Sequence, residues 1–182
     1  RSAVVAGGNA VQSGLESPAA SYEAGDPTAK QIEEQSDRFG TEWCLSPEQS
    51  LSLHGGNRAV PAQLFVRAPT GGNKPTPLPH DTSLFDMRAS LPPPSERVTL
   101  DGLRLFSVPA ALIAASEPFL RRAATDVRAA MAAIQDASDV LRLLLEGGHS
   151  TIAGRIAGAF RQAGQSQIAD EIVETMKKAG YA

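Results

Sequence analysis

Leu143-Leu-Leu-Glu-Gly-Gly-His-Ser-Thr-Ile-Ala-Gly-Arg-Ile-Ala-Gly-Ala-Phe-Arg161 is the stretch whose reading decides the fold. Two glycines close one apolar helical run, and Ser150 or Thr151 is placed to cap the next. Ile152, Ile156 and Phe160 then recur at i, i+4 spacing, the mark of a helix with one buried face. Gly154 and Gly158 leave the flank of that helix nearly bare, so another helix backbone can approach it closely. The stretch reads as a binding or regulatory surface, not a catalytic one.

Working outward, Ser166 to Ala179 is a further helix, with Ile168, Ile172 and Met176 opposite Asp170, Glu171, Glu174 and Lys178. Upstream, helices are expected over Pro109 to Ser116 and Thr125 to about Glu146, with Asp136-Ala-Ser bending or dividing the second. Before them the period changes. Val98-Thr-Leu-Asp-Gly-Leu-Arg-Leu-Phe106 alternates around Asp101-Gly102, a preferred two-residue type I′ hairpin turn.

Ala62 to Ala68 reads as a largely buried strand, Gly71-Gly72-Asn73 as a turn, and Thr82 to Arg88 as a strand that pairs back across the proline-rich loop. Ser46-Pro-Glu-Gln49 is a helix start, with Gln49 expected to close a capping box and the helix to end at Gly55-Gly56. Thr28 caps a short helix through about Phe39. Residues Arg1 to Asp26 mix Gly, Ser, Ala and Pro, with Ala3-Val4-Val5 the one strand-like run.

The fold class is therefore α+β: a small antiparallel sheet followed by a C-terminal helical bundle, with an extended N-terminal arm. Residues 1–27 form a flexible arm or linker. Residues 28–182 form the domain, mixed strand and helix over 28–107 and helical over 108–182. A chain of 182 residues can bury a true core as one domain. It starts at Arg1, not Met, and reads as a processed or partial polypeptide.

A formal charge of −3 argues against a protein built to coat nucleic acid, although a local basic face remains open. The single cysteine, Cys44, excludes an intrachain disulfide and a cysteine-rich zinc site, and is read as a buried structural thiol. No apolar run approaches the ~20 residues that span a bilayer, so no membrane partner is expected and the compartment is read as cytoplasmic. Delivery into another cell stays open.

Candidate chemistry is sparse. His54, His80 and His149 fall on separate segments without paired-ligand spacing, so neither a metal nor a cofactor is expected. His54 is read as complementing the last turn of its helix. Gly148-His149-Ser150 begins like a nucleophile elbow, but Ile152 replaces the closing glycine and a helix precedes it where a strand is required. Gly71-Gly72-Asn73-Lys74 lacks the spacing of a phosphate loop, and Pro75 blocks the helix that would follow. Arg67 and Lys74 can meet a partner's acidic groups from the sheet edge. Arg121, Arg122, Arg128, Arg155 and Arg161, with His149 and Ser150 at a helix start, are the residues placed to contact a partner or phosphate.

Four blocks carry a family likeness: Trp43-Cys-Leu-Ser-Pro-Glu-Gln-Ser-Leu-Ser-Leu-His54; Gly71-Gly-Asn-Lys-Pro-Thr76 with His80-Asp-Thr-Ser-Leu-Phe-Asp86; Asp101-Gly-Leu-Arg-Leu-Phe-Ser-Val-Pro-Ala-Ala-Leu-Ile113; and Leu145-Glu-Gly-Gly-His-Ser-Thr-Ile-Ala-Gly154 through Ala169-Asp-Glu-Ile172. From Trp43 to Tyr181 the chain resembles the AbiEi-like antitoxin/regulator region of bacterial type IV toxin-antitoxin systems, in the form that precedes the catalytic domain of some Fic-family proteins. The resemblance implies a non-enzymatic regulatory module with a protein partner, a toxin or Fic-type domain among the candidates, and transfers no catalytic residue.

Arg1 to Asp26 lack the periodicity and basic recognition segment of the winged helix that such regulators carry. The Fic signature His-Pro-Phe-x-x-Gly-Asn-Gly-Arg is absent. Glu146-Gly147 matches the end of a Fic inhibitory motif, but Arg142 stands where that motif has Ser or Thr. The leading expectation is an interaction module that binds a protein through its sheet edge or C-terminal helices. Alternatives are a DNA-binding transcriptional regulator using the five arginines, an effector delivered into another cell, and an enzyme centred on His149 and Ser150, which lacks a general base. Homo-oligomerisation stays open.

Overall fold

The computed structural model describes residues 27–181, and two blocks of apolar side chains organise them into a sheet part and a helical part. The expected arm, the strand considered at Ala3-Val4-Val5 and the missing winged helix all fall outside the described residues, Pro27 apart.

The chain enters through α1 (Pro27–Glu34) and α2 (Ser36–Phe39). One helix was expected here. It is interrupted at Gln35, whose N–H closes a tighter turn onto the Ile32 carbonyl at 3.0 Å, and Ile32 and Phe39 still enter the same core. Arg104 ties this corner down, donating to Glu33 at 2.8 Å and to the Thr41 carbonyl, with its guanidinium 4.8 Å above the buried Trp43 ring.

β1 (Cys44–Leu45) leads into α3 (Pro47–His54), where the Ser46 hydroxyl caps Gln49 N at 3.2 Å as the start signal requires. Gln49 does not close the capping box. Its amide accepts from Phe65 N at 2.9 Å and donates to Gln63 O at 2.8 Å. β1 is two residues long, so the strand beside it has unpaired backbone further along, and the Gln49 amide substitutes for the missing neighbour.

That strand is β2 (Gln63–Ala68). With β3 (Pro75–Leu78) and β4 (Thr82–Arg88) it completes a sheet of order β1-β2-β4-β3. Thr82–Arg88 pairs with β2 as expected, yet the pairing is parallel, with Leu64 opposite Leu84 and Phe65 opposite Phe85. The wholly antiparallel sheet is thus corrected. β3, hidden by its prolines, takes the antiparallel place beside β4 and turns the chain so that β4 runs with β2. An edge strand tolerates Pro75 and Pro77 because their missing donors can face outward.

The turn at 71–74 is held by Asp86, which is 1% exposed and accepts from Gly72 N at 2.5 Å and Lys74 N at 3.1 Å. Its amides serve that carboxylate. β5 (Arg97–Leu100) and β6 (Leu103–Phe106) form the expected hairpin, but as a second, two-stranded sheet apart from the first, with Asp101 at φ 51° and Gly102 at φ 79°, both in the left-handed region a type I′ turn demands.

Six helices follow: α4 (Val108–Ala114), α5 (Glu117–Arg122), α6 (Ala124–Met131), α7 (Ser138–Gly147), α8 (Ser150–Gln162) and α9 (Ser166–Lys178). The long helix expected from Thr125 is divided where Asp136 accepts Ser138 N at 2.8 Å and restarts the backbone as α7. α7 ends at Gly148 in the left-handed conformation, with His149 N donating to Leu144 O at 3.1 Å. Ser150 is the first residue of α8, not its cap. The cap position is His149, which makes no side-chain capping bond.

Neighbouring residues on β1 face opposite ways, so Cys44 joins the helical core and Leu45 the sheet core. On α3, Leu51 and Leu53 divide in the same manner. At this seam His54 Nε2 donates to the Phe106 carbonyl at 2.8 Å, so it serves the end of β6 and not the last turn of its own helix.

Candidate functional site

α8 buries Ala153, Ile156, Ala157 and Phe160 in the helical core. A quarter-turn away, Gly154 and Gly158 face the opening between α8 and the α5–α6 pair. A Cβ built on either glycine meets nothing within 4 Å. The close helix approach expected at this flank is therefore not made by another part of the described chain. Its place is taken by a groove.

Two local features place the opposite wall. Ser116-Glu117-Pro118 starts α5, and Ser116 N donates to Glu48 at 3.0 Å, anchoring α5 to α3. α6 buries Val127, Ala130 and Met131, and a Cβ on Gly55 would lie 2.4 Å from the Asp126 carbonyl oxygen. Only glycine lets the end of α3 pass the α6 backbone this closely, and Asn57 adds a 3.0 Å bond to Asp126.

The groove has two adjoining hollows that share Leu120, Ala124, Ala159 and Gln162. The larger, about 410 Å³, is walled by both glycines and bordered by Glu117, Arg121 and Arg155. The smaller reaches Val127, Met131 and Arg128. Small apolar walls with cations at the rim suit a protein segment more than a reaction centre.

The structure brings Arg121, Arg128 and Arg155 to this groove, and Arg122 lines a neighbouring depression with Glu117 and Pro118. Arg161 is elsewhere, paired with Asp170 of α9 at 2.8 Å. His149 and Ser150 sit in the α7–α8 turn and do not line the groove; the His149 ring lies over Gly147, where a Cβ would be 2.1 Å from its Nε2.

The arginines are largely occupied. Arg155 donates to the Ile113 and Ala115 carbonyls at 3.4 and 3.2 Å, meeting the negative end of α4, while its buried Nε has no acceptor. Arg121 pairs with Glu117 one turn earlier, and Arg128 Nε donates to the Ala124 carbonyl at 3.2 Å. Arg122 is exposed, with no partner among the described residues.

Sequence reasoning missed α5 and with it Leu120, although Ser116-Glu117-Pro118 is a start signal of the kind read correctly at Ser46. It also missed Ala124 and Gln162, which carry no signal beyond helical spacing. Among the described residues no group of three or more His, Cys, Asp or Glu is placed to hold a metal, and no helix is long and apolar enough to cross a membrane. In comparison with known proteins, the chain matches no family model, no curated protein and no solved structure.

Proposed function

We propose that this chain is a non-enzymatic regulatory module of antitoxin type, of the AbiEi-like kind it resembles, and that it binds a partner protein in the groove between α5–α6 and α8. The observation that carries the reading is the pair Gly154 and Gly158. Each weakens α8 by about 1 kcal/mol relative to alanine, and neither is needed for packing among the described residues. A backbone arriving from outside gives both glycines a use. The partner class is a toxin or Fic-type domain acting in the cytoplasm, and the mechanism is occlusion or scaffolding.

The DNA-binding reading draws support from Arg122 and Arg128, whose side chains stay exposed. It loses support from Arg121, Arg155 and Arg161, which are engaged within the chain. Delivery into another cell as an effector is a further alternative.

Affinity purification at moderate salt, followed by mass spectrometry and an ultraviolet absorbance ratio, tests the reading. One stoichiometric protein that is retained by the native chain and lost with Gly158→Leu supports it. Nucleic acid removed by high salt promotes the DNA-binding alternative. A partner held equally by Gly158→Leu refutes the groove.

A further inference from the structure

We draw no further inference here: the strongest candidate, the open cleft of about 390 Å³ at the seam between the hairpin and the helices, walled by Val98, Val108 and Ile134 and edged by Asp136 and Asp139, carries none, because Asp136 already accepts Ser138 N, Asp139 stands 3.7 Å from Arg142, and nothing in the structure shows what covers the cleft.

Discussion

Arg142 of α7 donates to Glu96 at 2.5 Å, across the seam between the hairpin and the helices, while the Glu96 side chain is 5% exposed. Ser107 donates to the other carboxylate oxygen at 2.5 Å and caps Ala110 N at the start of α4. One buried carboxylate thus joins β5, α4 and α7.

Replacing Glu96 should therefore act at the seam. Glu96→Leu strands the Ser107 hydroxyl and frees Arg142, with an expected loss of about 1–3 kcal/mol in denaturant unfolding. Arg142→Met should destabilise too, because it leaves the carboxylate without its cation. The double variant should be less harmful than the sum of the singles. Strict additivity would show that the two residues do not act as a pair.

The three groove-region glycines should respond in opposite directions. Gly154→Ala and Gly158→Ala meet open space and should each stabilise the chain by roughly 0.5–1 kcal/mol through helix propensity, while weakening partner binding. Gly55→Ala places a methyl 2.4 Å from the Asp126 carbonyl oxygen and should cost about 1–3 kcal/mol through overpacking. Thermal melts of the three variants check this. A destabilised Gly158→Ala would mean that α8 needs its glycine for its own packing.

Asp86 should be the least replaceable residue of the sheet. Asp86→Ala leaves the Gly72 and Lys74 amides without their acceptor and should cost about 2 kcal/mol, with amide exchange rising first in residues 71–74. Unchanged exchange there would separate the turn from this carboxylate.

Cys44 gives a pH dependence. Burial raises its pKa above the ordinary 9.0, so the folded chain holds the proton that the unfolded chain releases. The thiol's contribution is complete below about pH 9 and is lost as pH rises toward the folded value. The denaturant midpoint should drop more between pH 7.5 and 9.5 in the native protein than in Cys44→Ala. Equal drops would place the alkaline loss elsewhere.

Local chemistry made much of this chain legible in its residues. The Asp101-Gly102 turn, the Ser46 cap and the i, i+4 stripes of α8 and α9 depend on neighbours within a few positions, and they stand as read. Gly154 and Gly158 were likewise visible as a bare flank. Their exposure was not, since it depends on α5 and α6 stopping short of α8.

The parallel β2–β4 pairing, the use of Gln49 as a strand substitute, the division of Leu51 and Leu53 between cores and the engagement of Arg155 by α4 arise from contacts between residues far apart in the chain. Periodicity states which face of an element is apolar. Only the packed structure decides which faces find cover, and among the described residues it leaves the glycine flank of α8 without it.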